Sequence, residues 1–312
     1  MGHLGIDVGG TKVALRVEDC GGTRSLESDL RWQASSDSAR DWKQLADTVE
    51  SLCSAWGEPI RSVGVAMPAT LDGGGRVSVW PGRPHWAGLG LRDALAELFP
   101  GAGVRIADDG DLAALAEAER AGCRNLVYLG VGTGIGGGVV VDGRPLPGAG
   151  RGSCEVGHIV VERGGARCDC GRNGCVQALS SGPATLRLAA RIRGGPVDYE
   201  ALRDGYASGA AWAVAAVSES SAALAAAVVS LCELAHPELV LIGGGFAAGL
   251  PQLVPAVAAH TRALARPGSP PVPVRPAALG GLSSLYGAVS LARSTASGPR
   301  GGPQQQRIGE ET

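Results

Sequence analysis

One histidine and three cysteines lie close together in the sequence and carry side chains that bind transition metals. His158 is followed by Cys168, Cys170 and Cys175, with glycines at 157, 171 and 174 around them. One imidazole and three thiolates complete a tetrahedral Cys₃His zinc site, and four protein ligands leave no open position for a water, so we expect a structural Zn²⁺. A disulfide is the alternative, but it leaves an odd thiol and conflicts with a reducing compartment.

Two glycine-rich segments have the composition of loops that surround phosphate oxygens. Residues 7–12 read Asp-Val-Gly-Gly-Thr-Lys, and residues 130–136 read Gly-Val-Gly-Thr-Gly-Ile-Gly. Backbone N–H groups and a threonine hydroxyl can meet an anion in each. The first segment alone is equally compatible with an ordinary glycine hairpin, whereas two such segments favour nucleotide binding. The predicted nucleotide contacts are Asp7, Gly9, Gly10, Thr11, Lys12, Gly132, Thr133, Gly134, Gly243, Gly244 and Gly245.

These glycines match neither of two common nucleotide fingerprints. The segment at 130–136 continues into a β-branched strand and not into a helix, so it is not a dinucleotide-binding loop. The sequence also has no G-x-x-x-x-G-K-[ST] loop. The remaining arrangement is that of the actin-like ATPases, in which two duplicated halves hold a nucleotide between β-hairpin turns.

Apolar runs beside the two loops predict the elements that position them. Residues 4–8 and 13–17 are predicted to form a hairpin, and residues 126–130 and 136–141 repeat it. Helical and strand patterns alternate elsewhere, which predicts an α/β fold of two duplicated βββαβα domains. The other predicted helices are 42–56, 91–99, 112–121, 186–193, 210–235 and 283–293, and the other predicted strands are 62–67, 104–107 and 239–242.

The composition limits the classes to which this protein can belong. Of 312 residues, 45% are hydrophobic and 19% are charged, with a formal net charge of −2. This balance gives no electrostatic reason to bind nucleic acid or an anionic membrane. No export signal is visible, and the longest uncharged stretch, 239–261, is a poor membrane span because it contains four glycines and two prolines. We therefore expect a cytoplasmic protein that acts on a small molecule.

The sequence resembles the ROK family (repressor, open reading frame, kinase), of the bacterial glucokinase type. The resemblance covers nearly the whole chain and rests on the strings LGIDVGGTKVALRV, LGVGTGIGGGVVVDG, CEVGHIVVERGGARCDCGRNGC and HPELVLIGGGF. It implies the actin-like ATPase (ribonuclease H-like) fold, ATP and Mg²⁺ as cofactors, and a homodimer or homotetramer. We expect one lobe from 1–107 with 283–296, a second from 108–282, and a tail at 297–312 too polar to order itself.

The resemblance also assigns roles to the acidic residues that follow the predicted strand 104–107. Asp109 corresponds to the general base that takes the proton of the acceptor hydroxyl, and Asp7 to the residue that holds a metal-bound water near the phosphates. Simple capping of the following helix by Asp108 or Asp111 is the alternative. The implied acceptor-binding residues are Gly82, Asp108, Asp109, Glu155, His158 and Gln177.

Three of these positions depart from the family pattern. Gly82 and Asp108 stand where asparagine is usual, and Gln177 stands where glutamate is usual. Exchanging amides and carboxylates exchanges donors and acceptors, and Gly82 adds room. We therefore predict an ATP-dependent kinase for the primary hydroxyl of a modified hexose, an aminosugar or a C7 cyclitol, in preference to glucose.

Two other functions stay open. If the substitutions are tolerated variation, the protein is an ordinary glucokinase, and if they mark decay, it is a sugar-sensing regulator without catalytic activity. A DNA-binding repressor is disfavoured, because no basic helix-turn-helix segment precedes the loop at Asp7.

Overall fold

The computed structural model describes residues 1–34, 36–148, 152–268 and 270–295, so the expected tail at 297–312 lies outside the described residues. The strands are β1 Gly2–Val8, β2 Lys12–Asp19, β3 Ser25–Arg31, β4 Ile60–Ala66, β5 Thr70–Leu71, β6 Val77–Val79, β7 Gly103–Ala107, β8 Leu126–Val131, β9 Ile135–Val141, β10 Arg144–Pro145, β11 Leu239–Gly243 and β12 Val274–Pro276. The α-helices are α1 Ser38–Trp56, α2 Leu91–Leu98, α3 Asp109–Ala121, α4 Val176–Ser180, α5 Gly182–Arg193, α6 Tyr199–Ala207, α7 Ala211–Ala235, α8 Gly245–Ala248, α9 Leu253–Ala263 and α10 Ser283–Thr295.

The first sheet has the strand order β3-β2-β1-β4-β7. Its first three strands form an antiparallel meander, whereas β4 and β7 run parallel to β1 and β4, respectively. Along β1, Leu4 and Ile6 face a core that α1 covers. The opposite face carries Gly5 and Asp7, since side chains alternate along a strand. A Cβ built on Gly5 would lie 2.6 Å from a methyl of Val289, so glycine lets α10 approach this face.

The second sheet repeats this topology, with the order β10-β9-β8-β11-β12. Here β8, β9 and β10 form the antiparallel meander, while β11 and β12 run parallel to β8 and β11, respectively. Val127 and Leu129 of β8 face one core, and Tyr128 faces another core beside α3. The predicted duplicated α/β fold is confirmed.

Two helices pack against each other between the sheets. α3 packs on β8 and β9, and α10 packs on β1 and β4. Their contact is close, because a Cβ built on Gly287 would lie 2.0 Å from the carbonyl oxygen of Leu112. The buried carboxylate of Glu117 accepts a hydrogen bond of 2.8 Å from the Ser283 hydroxyl, which ties α3 to the start of α10. The N-terminus of α3 is thereby held between the two sheets.

One helix is long and apolar enough to cross a membrane by length and composition alone. This helix is α7, and 50% of its most apolar window is buried. Its buried residues include Ala213, Val217 and Leu224, which belong to the core that packs on the second sheet. A buried core helix has the same composition, so α7 is weak evidence for a membrane protein.

Candidate active site

The first glycine loop connects β1 to β2 and begins next to a partly buried carboxylate. Asp7 is the penultimate residue of β1, and the N–H of Gly9 donates a hydrogen bond of 3.0 Å to the carbonyl of Lys12, which closes the turn between the strands. Burial raises the pKa of Asp7 to about 6, although the charge of Lys12 opposes this shift. Thr11 and Lys12 are exposed, so their side chains are open to a ligand.

The second carboxylate is Asp109, the first residue of α3. The preceding residue, Asp108, caps the helix, and its Oδ1 accepts a hydrogen bond of 3.0 Å from the N–H of Gly110. Burial and the charge of Asp7 raise the pKa of Asp109 to about 6. The structure thus brings Asp7, from the first sheet, near Asp109, from the helix that packs on the second sheet.

Close backbone contacts place the N-terminus of α3 on β9. A Cβ built on Gly110 would lie 2.6 Å from the Gly137 carbonyl oxygen, and one built on Gly138 would lie 2.8 Å from the Asp111 Cα. Glycine at these positions therefore lets the helix start lie directly on the strand. The sequence interpretation did not assign this role to the glycines, although three of them follow one another at 136–138.

A group of carboxylates surrounds Asp108. Burial and the charges of Asp109 and Glu155 raise the pKa of Asp108 to about 7. Burial and the charge of Asp108 likewise raise the pKa of Asp111 to about 7. Asp111 Oδ1 accepts a hydrogen bond of 3.4 Å from the N–H of Cys154, which connects α3 to the segment that carries Glu155. Asp111 was expected only as a possible cap, and this contact was not predicted.

The second glycine loop connects β8 to β9. The N–H of Gly132 donates to the Gly134 carbonyl over 2.9 Å, and its own carbonyl accepts from the N–H of Gly182 over 2.8 Å. Gln177 Oε1 accepts a hydrogen bond of 3.0 Å from the N–H of Ile135. Gln177, which sequence interpretation assigned to the acceptor, therefore also supports this loop. Thr133 is exposed at the tip of the turn.

The predicted glycine triplet begins with the last residue of β11 and lies beside the second loop. Gly244 has φ +88°, and a Cβ built on it would lie 2.4 Å from the Val131 carbonyl oxygen at the end of β8. Only glycine combines this left-handed backbone with such a close approach. Gly243 and Gly245 are the residues where β11 ends and α8 begins, respectively.

The loop with Gly82 packs on the first glycine loop. A Cβ built on Gly82 would lie 3.2 Å from Trp80 Nε1 and 3.4 Å from the Gly10 Cα. Glycine thus lets this loop approach the turn of the first hairpin. Trp80 and Trp86 pack edge to face beneath it, with ring centroids 4.9 Å apart.

The predicted metal-binding side chains come together. His158 Nδ1 lies 3.6 Å from Cys168 Sγ, and Cys170 Sγ lies 3.6 Å from Cys175 Sγ. All four ligand atoms are within 4.8 Å of one another. A tetrahedral zinc site with Zn–S bonds of about 2.3 Å separates its ligand atoms by about 3.8 Å, so the set has the size of a metal site. Each of the eight cysteines is a free thiol.

The chain is similar to known proteins along most of its length. The family model of the ROK family matches residues 3–295. Kanosamine kinase of Amycolatopsis mediterranei (strain S699) is 56% identical over 296 residues, which are 95% of this chain and 97% of that protein. Glucokinase of Thermotoga maritima is 32% identical over 262 residues, or 78% of this chain and 81% of that protein.

Similarity extends to solved structures. The crystal structure of a ROK hexokinase from Thermus thermophilus matches with a TM-score of 0.85 and 32% identity, covering 95% of this chain and 99% of that one. Fold, site and relatives together define an ATP-dependent carbohydrate kinase with the actin-like ATPase fold. The chain belongs to the ROK family.

Proposed function

We propose that this kinase transfers the γ-phosphoryl group of ATP to the primary hydroxyl of an aminosugar, with kanosamine (3-amino-3-deoxyglucose) as the best substrate. The observation that carries the proposal is the carboxylate of Asp108, in a chain that is 56% identical to a kanosamine kinase. A carboxylate beside the bound acceptor favours a ligand with a positive charge. An aminosugar carries that charge in its ammonium form, whereas glucose does not.

Helix capping decides which atom of Asp108 meets the acceptor. Oδ1 faces the helix, because it accepts from the N–H groups of Gly110, at 3.0 Å, and Asp111, at 3.4 Å. Within the described residues, Oδ2 has no hydrogen-bond partner. Asparagine would cap with the same oxygen and present an NH₂ donor, whereas aspartate presents a charged acceptor. The substitution therefore replaces a donor to a sugar hydroxyl with an acceptor for an ammonium group.

The surrounding charges strengthen this preference. The pKa of Asp108 is raised to about 7 by burial and by the charges of Asp109 and Glu155. A bound ammonium compensates these charges, and a hydroxyl does not. A hydrogen bond to a charged group contributes about 1.5–3 kcal/mol, so the preference for the amine over the hydroxyl should be roughly 10–100-fold in kcat/KM.

Asp109 is the proposed catalytic residue. Its pKa of about 6 leaves the carboxylate ionised at neutral pH and makes it a stronger base than an ordinary aspartate. It would accept the proton of the primary hydroxyl as that oxygen attacks the γ-phosphorus, while the bond from phosphorus to the ADP oxygen breaks. Positioning of the two oxygens supplies much of the remaining catalysis.

The two glycine loops are proposed to hold the nucleotide from opposite lobes. The first would contribute Gly9, Gly10, Thr11 and Lys12, the second would contribute Gly132, Thr133 and Gly134, and Gly243, Gly244 and Gly245 would lie beside the second. Asp7 would contact Mg²⁺ through a metal-bound water, since Mg²⁺ prefers oxygen ligands and keeps several of its waters. Mg²⁺ would neutralise part of the phosphate charge. For the lobes themselves we propose 1–107 with 283–296 and 108–282, because α10 packs on β1 and β4.

The Cys₃His cluster is proposed to bind one structural Zn²⁺. Its ligand set and spacing fit a closed tetrahedral site. The metal would fix His158, which the family pattern places at the acceptor together with Glu155. It would also fix Cys175, two residues before Gln177, and so support the second glycine loop from the acceptor side.

A panel of acceptors tests the proposed function. With ATP and Mg²⁺, kcat/KM is measured for kanosamine, glucose, mannose, N-acetylmannosamine and the C7 cyclitol valienol. We expect kanosamine to give the highest value, and NMR of the product to show phosphorus coupled to the protons of the primary carbon. Equal or faster turnover of glucose would indicate an ordinary glucokinase. A preference for valienol would support the assignment as a kinase but contradict an aminosugar as its substrate. If no acceptor were turned over, the alternative of a sugar-sensing regulator would be favoured.

A further inference from the structure

The first glycine loop is held from one side by two residues that no part of the predicted site includes. Trp32 Nε1 donates a hydrogen bond of 2.7 Å to the Gly9 carbonyl. Arg83 Nη1 donates one of 3.2 Å to the Gly10 carbonyl, and the backbone N–H of Trp32 donates one of 3.1 Å to the Thr11 carbonyl. The Arg83 guanidinium also lies 4.6 Å over the Trp32 ring. Three consecutive carbonyls are therefore bound by one cluster.

Binding these carbonyls fixes the direction of the loop N–H groups. In a trans peptide the C=O and the following N–H point in opposite directions. The N–H groups of Gly10 and Thr11 therefore face away from Trp32 and Arg83. Neither donates a hydrogen bond to any residue that the structure describes. Two adjacent free N–H groups in a glycine turn form an anion-binding concavity.

A buried carboxylate fixes Arg83. Asp41 Oδ2 accepts from Arg83 Nε at 2.9 Å and from Nη2 at 2.5 Å, and the two side chains are only 1% and 8% exposed. The same oxygen accepts from Trp86 Nε1 at 2.9 Å and lies 2.6 Å from His85 Nε2. The planar guanidinium can contact Asp41 and the Gly10 carbonyl at once. A lysine ammonium has its three donors on one nitrogen and cannot reproduce this planar fork.

This cluster also connects the nucleotide loop to the acceptor loop. Arg83, His85 and Trp86 follow Gly82, which the family pattern places at the acceptor. Gly82 itself packs on the backbone of Gly10. An acceptor that orders the segment 81–86 would therefore also order the donor of the hydrogen bond to Gly10.

We propose that Arg83, fixed by Asp41, is a positioning residue which, with Trp32, directs the N–H groups of the first glycine loop toward the nucleotide phosphates and couples nucleotide binding to acceptor binding. The inference rests on the proposed function, because it takes this loop as a nucleotide site. By linkage, the coupling is reciprocal, so each ligand tightens the binding of the other by the same factor.

Two substitutions remove single contacts to the loop by independent routes. Arg83→Lys keeps the charge beside Asp41 but loses the hydrogen bond to Gly10, and Trp32→Phe keeps an aromatic ring but loses the hydrogen bond to Gly9. Arg24→Lys is the matched control, since Arg24 also lies over a tryptophan, Trp56, at 3.9 Å and donates to its carbonyl over 2.7 Å, away from both loops.

The readouts are the KM for ATP, the KM for the acceptor and kcat, together with calorimetric binding of the non-hydrolysable analogue adenylyl imidodiphosphate and Mg²⁺, with and without acceptor. We expect Arg83→Lys to raise the KM for ATP by about 5–20-fold and Trp32→Phe by about 3–10-fold, with kcat changed by less than about threefold. In Arg83→Lys the acceptor should no longer tighten binding of the analogue, whereas Trp32→Phe, which keeps the contact between Arg83 and Gly10, should weaken this effect without abolishing it. Arg24→Lys should match the wild type in every readout.

A merely structural cluster would give a different result. Both variants would then lower Tm while leaving the KM for ATP and the coupling at wild-type values, and that outcome overturns the proposal. If Arg83→Lys fails to fold, Trp32→Phe decides the question in the same assays. Failure of the wild type to turn over any acceptor would contradict the proposed function alone, because binding of the analogue remains measurable.

Discussion

The two glycine loops occupy equivalent places in the duplicated fold but are supported differently. The first is held by a buried ion pair and an indole, through Arg83 and Trp32. The second is held by neutral groups, the amide of Gln177 and the N–H of Gly182. Duplication thus preserves the strand topology, while the side chains that support each loop have diverged. In both cases one of the supporting side chains, Arg83 or Gln177, belongs to a segment that the family pattern places at the acceptor.

The largest expected loss of activity comes from a substitution that leaves both glycine loops intact. Asp109→Asn removes the proposed base while keeping the helix start, so kcat should fall by roughly 10²–10⁴-fold with little change in nucleotide binding. Steady-state kinetics and binding of the ATP analogue measure the two quantities. Asp111→Asn changes a neighbouring carboxylate of the same helix and should reduce kcat far less. Retention of more than about a tenth of the wild-type kcat in Asp109→Asn would contradict the assignment.

A substitution in the Cys₃His cluster tests whether the metal site, in addition to Gln177, supports the second loop. Cys170→Ser should release the metal and raise the acceptor KM by about 10-fold or more, because the segment that carries His158 loses its fixed geometry. Elemental analysis should find one zinc per wild-type chain and none in the variant. Cys20→Ser, which changes an exposed thiol of the first lobe, should retain both the zinc and the KM. Stoichiometric zinc in Cys170→Ser would rule out the site.

The two supports can be compared directly through the KM for ATP. Gln177→Ala removes one neutral hydrogen bond to the second loop and should raise this KM by about 2–5-fold. Arg83→Lys removes a bond from a charged donor and should have the larger effect. If Gln177→Ala had the larger effect, the difference in support between the loops would not translate into a difference in nucleotide binding.

A separate effect, outside the loops and outside turnover, concerns stability and its dependence on pH. The pKa of Asp108 is raised from 3.8 to about 7 in the folded protein, so the folded state retains a proton that the unfolded state has lost. Asp108 therefore lowers the free energy of unfolding as the pH rises through that interval. Asp108→Asn keeps the helix cap and should be more stable than wild type by about 1–2 kcal/mol at pH 8, because neighbouring carboxyls share the charge.

Urea denaturation of both proteins at pH 8 and at pH 4.5 measures this effect. The difference between them should be much smaller at pH 4.5, which lies only slightly above the ordinary aspartate pKa of 3.8, so that little of the destabilisation has developed. An equal difference at both pH values would mean that the carboxylate is not the cause.

The sequence was sufficient for the duplicated topology because apolar runs and glycine turns are local signals. The hairpin at residues 4–17 and its repeat at 126–141 were predicted in this way, and so was the Cys₃His cluster, whose ligands lie within one segment. The start of α3 was placed three residues late, at Leu112, because Asp109 and Asp111 do not fit an apolar helical pattern. The helices α4, α6, α8 and α9 and the strands β3, β5, β6, β10 and β12 were not predicted as separate elements.

Contacts between distant segments could not be predicted from local patterns. Asp41 lies on α1, and its partner Arg83 is 42 residues further along the chain. No local pattern around either residue therefore indicates the other. Gln177 was interpreted from the family pattern as an acceptor residue, and its hydrogen bond to Ile135 depends on how α4 packs beside β9. The only sequence signal for the cluster at Arg83 was its place in the segment that departs from the family pattern at Gly82.

The most direct test of the central claim is the ratio of kcat/KM for kanosamine to kcat/KM for glucose, measured in the wild type and in Asp108→Asn. If Asp108 recognises the acceptor amine, the wild type prefers kanosamine, and the substitution lowers the ratio by roughly 10–100-fold, mainly through loss of kanosamine turnover at low concentration. A ratio that is the same in both proteins would contradict the account.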